Sequence, residues 1–151
     1  MSVAPGSTND RLIESLKVFY ENFSADNLDR LEEFYTQDIE FVDPIHKVDG
    51  VLSLRQYLKK MSVNLLHYRI HYIEVLVGEK SAYLTWEMEF ANKHIRGGQV
   101  ISVRGMSHLK FTNRIYYHED SYDLGALLYD HLPLLGSITR SLKGRMSAPG
   151  G

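Results

Sequence analysis

The stretch IEFVDPIHKVDG, residues 39–50, places one carboxylate at the end of an apolar strand and a proline directly after it. Successive side chains of a strand point to opposite faces, so Phe41 and Asp43 share one face and Val42 takes the other. If the shared face lines a cavity, Asp43 is aimed into apolar surroundings, where a carboxylate suits proton transfer. The alternative is structural, because an aspartate before Pro44 also accepts backbone N–H bonds in a turn. Both interpretations stay open on the sequence.

Three helices are predicted around this strand, because apolar residues recur every three or four positions on either side of it. The helices are expected at about residues 9–23, 28–35 and 52–65. Candidate N-caps are Asn9 or Asp10 for the first helix, Asp26 or Asn27 for the second, and Asp49 or Ser53 for the third.

Beyond the third helix the apolar period changes to two, which is typical of strands. Four long strands are predicted, at residues 68–77, 82–91, 100–111 and 115–122. The turns between them are short, so the strands form an antiparallel meander. Residues 123–146 return to helical spacing. Helices grouped before a long meander indicate an α+β fold.

The composition limits the classes of function. The chain has 151 residues, of which 44% are hydrophobic, enough for one core, and we expect a single domain at residues 9–146 between tails at 1–8 and 147–151. Seventeen basic residues against nineteen acidic ones argue against a nucleic-acid partner. Zero cysteines exclude thiolate chemistry and disulfides. With no export signal and no apolar run of about 20 residues, we expect a cytoplasmic protein without a membrane partner.

No cofactor or metal site is predicted. His67 and His71 stand four positions apart, but they fall on a strand, where four residues span about 13 Å, too far for one metal ion.

Three motifs in this order resemble the nuclear transport factor 2-like superfamily, also called the SnoaL-like or ketosteroid isomerase-like cone fold. The motifs are FSADNLD at 23–29, IEFVDP at 39–44 followed by Gly50, and IYYHEDSYD at 115–123. The resemblance covers about residues 11–128. It implies a cone-shaped, curled, mostly antiparallel sheet wrapped around three N-terminal helices, and a homodimer formed through the outer face of the sheet. The helical segment at 123–146 extends past the usual end of this fold, as a lid, a dimer contact or a membrane-surface helix, in that order of preference.

The candidate catalytic residues are Asp43, Asp120 and His118. The resemblance implies a general base at Asp43, which matches ketosteroid isomerases, and an acid or base at Asp120, which matches limonene-epoxide hydrolases. A buried aspartate or histidine also serves as a hydrogen-bonded core residue, and that alternative stays open for Asp120 and His118. The chain departs from both relatives. Phe19 and Ser107 stand where the isomerases carry their oxyanion hole, and Trp86 and Met88 stand where the hydrolases carry an arginine and an aspartate.

Strand parity and the resemblance together predict the ligand-binding residues. Alternate side chains on each strand face the inside of the cone, where aromatic and sulfur groups form an adaptable wall. The predicted set is Phe19, Tyr20, Phe41, His46, Trp86, Met88, Phe90, Val103, Ser107 and Tyr122.

The sequence therefore predicts a pocket protein for a small apolar or carbonyl-bearing ligand, acting as an isomerase, cyclase or hydrolase with Asp43 as general base. Two alternatives belong to other classes of function. One is a non-catalytic ligand-binding or regulatory module, and the other is a dimeric protein-interaction scaffold.

Overall fold

The computed structural model describes residues 6–123, and its first element is helix α1, Thr8–Glu21. The predicted caps of α1 are wrong: Ser7 is the N-cap, and its hydroxyl accepts from the backbone N–H of Asp10. The Asp10 side chain in turn bonds back to the backbone N–H of Ser7, which completes a capping box. Ile13, Leu16 and Phe19 form the buried face of α1.

The predicted second helix is only partly correct. A 3₁₀ helix at Ala25–Arg30 is capped by Ser24, and it continues into the single turn of α2, Leu31–Phe34. Tyr35, which the apolar spacing places in that helix, instead begins the first strand. Spacing alone does not separate a buried helix end from the start of a buried strand.

Helix α3, Val51–Ser62, begins after Gly50, whose φ of 90° suits a residue without a side chain. No side chain caps α3, so the caps predicted at Asp49 and Ser53 are wrong. Leu65, expected at the end of this helix, is the first residue of a strand.

Six strands form one curled sheet. Their bounds are β1 Tyr35–Val42, β2 Lys47–Asp49, β3 Leu65–Val77, β4 Ser81–Asn92, β5 Ile101–Phe111 and β6 Ile115–Tyr122. The order across the sheet is β2-β1-β6-β5-β4-β3, and every neighbouring pair is antiparallel except β1 with β6. Strand β2, predicted as loop, has three residues, too few to show a period.

The parallel pair β1–β6 brings the first and last parts of the described chain together. Its register sets Phe41 beside His118, and their ring centroids are 4.7 Å apart. The antiparallel pair β5–β6 sets Ser107 beside Asp120. The strands β1 and β5, one on each side of β6, therefore place Phe41 beside His118 and Ser107 beside Asp120.

The inner face of the sheet packs against the helices in one apolar core that includes Phe19, Leu31, Tyr35, Leu54 and Phe111. Together these layers form the predicted α+β cone. None of the helices between residues 6 and 123 has the length and apolar character to cross a bilayer. The predicted C-terminal helical segment lies outside the described residues, apart from Asp123.

Candidate functional site

A cavity of about 110 Å³ opens inside the cone, between the helices and the inner face of the sheet. Cavities of this order hold small ring compounds, since a 150 Å³ apolar cavity binds benzene. Its lining is Tyr20, Phe23, Phe41, Asp43, Tyr57, Leu58, Met61, Tyr68, Ile70, Tyr72, Trp86, Met88, Ser107, His118, Asp120 and Tyr122.

Asp120 is an acidic group of this cavity that is held through one of its two oxygens. Its Oδ1 accepts two hydrogen bonds, from the hydroxyl of Ser107 at 2.5 Å and from Nε2 of His118 at 2.8 Å. Its Oδ2 has no hydrogen-bond partner between residues 6 and 123. The side chain is 22% exposed. Asp120 thus presents one free carboxylate oxygen, held in a fixed direction by bonds to the other.

A chain of hydrogen bonds continues behind His118, which is 4% exposed. Its Nδ1 lies 2.8 Å from the hydroxyl of Tyr35, and that hydroxyl lies 2.8 Å from the hydroxyl of Tyr20. With the carboxylate of Asp120 accepting from Nε2–H, a neutral imidazole accepts at Nδ1 from Tyr35, which accepts from Tyr20. The carboxylate of Asp120 therefore sets the tautomer of His118, and Tyr35 supplies a partner for its other ring nitrogen.

Trp86 supports Asp120 from the other side. The indole N–H donates to Oγ of Ser107 at 2.9 Å. An indole only donates, so Ser107 must accept there, and its own proton is left for Asp120. Two buried donors, one fixed by Trp86 and one by Tyr35, converge on a single oxygen of the carboxylate.

Asp43 has a different environment. Its Oδ1 accepts from the backbone N–H groups of Ile45 and His46, both at 2.8 Å, and its Oδ2 accepts a short bond from the hydroxyl of Tyr57. Its own N–H donates to the carbonyl of His46 at 2.9 Å, which closes the β1–β2 turn. Asp43 lines the cavity, yet both of its oxygens are already bonded within the protein.

Five tyrosines line the cavity: Tyr20, Tyr57, Tyr68, Tyr72 and Tyr122. Burial raises the pKa of every one of them above its ordinary value of 10, because desolvation disfavours the phenolate. A bond to Asp43 raises the pKa of Tyr57 further. At neutral pH the lining therefore offers hydroxyl donors, and it suits a ligand that carries oxygen acceptors.

The structure brings most of the predicted site residues to this cavity. They are Asp43, Asp120, His118, Tyr20, Phe41, Trp86, Met88, Ser107 and Tyr122.

Four predicted ligand-binding residues do not line the cavity. Phe19 is 1% exposed and packs in the core against Phe34, whereas the next residue, Tyr20, lines the cavity. His46 is exposed beside Tyr57, in a separate surface groove. Phe90 and Val103 belong to a second apolar cluster around Trp86, further along the sheet. Their strand parity is inward as predicted, but the cavity ends before them.

Other residues of the site were not predicted. Tyr68, Ile70 and Tyr72 occupy alternate positions of β3, so parity carried a usable signal. Tyr57 lies one turn before Met61 on the inner side of α3, where helical spacing marks it only as apolar. No pattern in the sequence marks Tyr35 as a site residue, since its hydroxyl gains a role only by bonding to His118, 83 residues away. Among residues 6–123 no three His, Asp or Glu side chains converge to hold a metal ion.

Comparison with protein families gives a match to the SnoaL-like domain over residues 16–118. No curated protein matches the chain significantly.

Solved structures share the fold at low sequence identity. A protein from Jannaschia sp. CCS1, classed as a SnoaL-like polyketide cyclase, has a TM-score of 0.71 at 13% identity, covering 86% of this chain and 97% of its own. An NTF2-like protein of unknown function from Burkholderia pseudomallei has a TM-score of 0.73 at 10% identity, covering 84% and 99%. A protein from Shewanella putrefaciens, also classed as a SnoaL-like polyketide cyclase, has a TM-score of 0.70 at 16% identity, covering 86% and 99%. At these identities the likeness establishes the fold alone.

Proposed function

The chain belongs to the SnoaL-like domain family, and from that premise we propose that it is a small-molecule enzyme that moves a proton on a compact, largely apolar, carbonyl-bearing ligand. The observation that carries the proposal is the carboxylate of Asp120. One of its oxygens is held by Ser107 and His118, the other has no hydrogen-bond partner among residues 6–123, and the residue lines an aromatic cavity. A carboxylate that is fixed in direction and partly desolvated is suited to general acid–base catalysis.

Asp120, rather than Asp43, is the proposed base. The oxygens of Asp43 are occupied by two backbone N–H groups and by Tyr57, so a ligand would have to displace one of these bonds. Asp43 in this proposal shapes the mouth of the cavity and holds the Tyr57 ring in its wall.

The proposed step balances within the ligand and one side chain. Oδ2 of Asp120 removes a proton from the carbon next to the ligand carbonyl. The C–H electron pair forms a C=C bond to the carbonyl carbon, and the π pair of the C=O bond moves onto the oxygen to give an enolate. A tyrosine hydroxyl of the lining donates a hydrogen bond to that oxygen. Tyr68 and Tyr122 are suited to this, since neither hydroxyl has a hydrogen-bond partner among residues 6–123.

Two outcomes follow from the enolate. Protonated Asp120 returns the proton at another carbon, which is an isomerisation. Alternatively, the enolate carbon attacks a second carbonyl of the same ligand, which closes a ring, and the alkoxide formed there takes the proton back from Asp120. The second outcome agrees with the two structural neighbours classed as polyketide cyclases. The cavity volume limits the enclosed part of the ligand to about one ring.

The test uses 2-tetralone, a two-ring ketone with exchangeable protons next to its carbonyl. We expect the protein to accelerate deuterium incorporation from D₂O, followed by proton NMR, and Asp120→Asn to lower the rate by about 100-fold or more. The matched control is Glu119→Gln, which removes a carboxylate from the next residue, on the opposite face of β6. Equal rates for the protein and for Asp120→Asn would remove Asp120 as the base.

A non-catalytic ligand-binding module is the second candidate. Two observations favour it. Both carboxylate oxygens of Asp43 are already hydrogen-bonded within the protein, and Phe19 and Ser107 stand where ketosteroid isomerases carry their oxyanion-hole residues. The same ketone separates the two candidates. Saturable binding without any acceleration of exchange supports the binding module, and binding with exchange supports the enzyme.

A further inference from the structure

We propose that Gly105 is the specificity-determining position of the cavity, because its missing side chain is the space in which the indole of Trp86 lies. Gly105 and Trp86 are directly opposite each other on β5 and β4. A Cβ atom at Gly105 would lie 2.5 Å from Cζ2 and 2.8 Å from Cζ3 of Trp86, and nearer still to Cη2. Ordinary contact needs at least 3.4 Å.

The contact with Gly105 fixes how far Trp86 reaches into the cone. Gly105 has no positive φ, so backbone conformation does not explain the glycine. With any other residue at this position, the indole would have to move by about 1 Å or more off the sheet, toward the centre of the cavity. Trp86 is 4% exposed and lines the cavity, so this movement would reduce the space that a ligand can occupy.

The same contact aims the indole N–H. Trp86 reaches Ser107, two residues beyond Gly105 on the same strand, at 2.9 Å, and Ser107 in turn donates to Asp120. An indole lifted off β5 loses this geometry, because a hydrogen bond weakens steeply when its distance or angle departs from the optimum. Gly105 is thus a positioning residue that acts through Trp86 on both ligand size and the direction of Asp120.

The test of this inference starts without a ligand. Trp86 is the only tryptophan of the chain, so a proton–nitrogen NMR spectrum contains one indole N–H resonance. In Gly105→Ala we expect that resonance to shift and its exchange with solvent to accelerate. The matched control is Gly78→Ala, which adds the same methyl group in the β3–β4 turn, 3.2 Å from the carbonyl of Ser81. An unchanged indole resonance in a folded Gly105→Ala protein would overturn the inference.

The ligand part of the test rests on the proposed function and uses two ketones of different size. For Gly105→Ala we expect the affinity for 2-tetralone to fall by about tenfold or more, while cyclohexanone binding changes little, because pocket selectivity on this scale follows from small changes in available volume. An equal loss for both ketones would indicate a merely structural role and count against the inference. If the unaltered protein binds neither ketone, the proposed function fails, and the indole resonance still decides the role of Gly105.

A double variant covers the case in which Gly105→Ala does not fold. Trp86→Phe shortens the ring that the new methyl group meets. If Gly105→Ala unfolds and Gly105→Ala/Trp86→Phe folds, the glycine is required by the indole, as inferred. If both variants unfold while Trp86→Phe alone folds, Gly105 is required for another reason, and the inference is wrong.

Discussion

His118 and Asp120, two residues apart on the same face of β6, are joined by a hydrogen bond of 2.8 Å between Nε2 and Oδ1. Residues at this spacing always share a strand face, but a direct side-chain bond between them also requires that both side chains lean toward each other. The bond from Tyr35 to Nδ1 supplies this constraint from the opposite side of the ring. His118 is therefore fixed at both nitrogens, and it orients the carboxylate that we propose as the base.

Tyr35→Phe tests this arrangement through stability. The change keeps the ring in the core and removes the hydroxyl, so Nδ1 of His118 and the hydroxyl of Tyr20 both lose their partner in a buried setting. We expect the free energy of unfolding to fall by about 1–3 kcal/mol, measured by urea denaturation.

Tyr116→Phe is the control for the loss of a tyrosine hydroxyl. Tyr116 is 42% exposed on the neighbouring strand, and its change should stay within about 0.5 kcal/mol. If the two variants are equally stable, the hydroxyl of Tyr35 does not hold His118.

Asp43→Asn distinguishes a base from a turn residue. The amide keeps an oxygen that accepts from the N–H groups of Ile45 and His46, while its NH₂ group cannot accept from Tyr57. We expect 2-tetralone exchange to stay within about tenfold of the unaltered protein, well above the rate of Asp120→Asn. If Asp43→Asn loses exchange as completely as Asp120→Asn while still binding the ketone, Asp43 is the base, as the sequence motif suggested.

Tyr57→Phe complements that measurement. It frees Oδ2 of Asp43 and leaves the turn bonds to Oδ1 in place, so only the wall of the cavity near α3 changes. We expect weaker binding of 2-tetralone with little change in the exchange rate at saturation. A large loss of rate at saturation would instead give the Tyr57 hydroxyl a part in the chemistry.

Much of the fold was predictable, because the parity of long strands is insensitive to small errors in their ends. Phe41, Trp86, Ser107 and Asp120 each line the cavity as their position in an alternating strand requires, and Asp43 lines it directly after the end of β1. The family motifs then supplied the closure of the sheet into a cone, which no local period contains.

The rest depended on distance in space rather than on position in the chain. Tyr35 meets His118 only because β1 and β6 pair in parallel, and the sequence assigned Tyr35 to a helix. The extent of the cavity was also hidden, since Phe90 has the same parity as Met88 and yet lies beyond its end. The roles proposed for Asp43 and Asp120 depend on which of their carboxylate oxygens are already hydrogen-bonded, and this cannot be deduced from the residue type.

Trp86 provides a direct measurement of ligand binding. It is the only tryptophan, it is buried, and it lines the cavity, so an aromatic ketone in the cavity lies next to the single indole. We expect 2-tetralone to quench the fluorescence along a saturating curve. Free tryptophan titrated in parallel corrects for absorption and collision, which give no saturation. Quenching that never saturates would place the ketone outside this cavity.

Alkaline pH tests the protonated state of the buried tyrosines. In the unfolded chain a tyrosine releases its proton near pH 10, whereas burial raises the pKa of Tyr20, Tyr35 and Tyr72 in the folded protein above that value. Because the folded state holds these protons more tightly, their contribution to stability is fully present below pH 10. It is lost as the pH rises above 10, since each deprotonation in the unfolded chain favours unfolding.

We therefore expect the urea midpoint to fall between pH 9 and pH 11, and tyrosinate absorbance to rise in step with unfolding rather than before it. The Tyr20→Phe variant lacks one of the buried hydroxyls with a raised pKa, so its urea midpoint should depend less steeply on pH. Tyr117 is the internal reference, because it lies on the outer face and its bond to Glu119 raises its pKa to about 12 without comparable burial. Full tyrosine ionisation in the folded protein at pH 10 would show that the cavity hydroxyls are not held as donors, and it would remove the basis for an oxygen-bearing ligand.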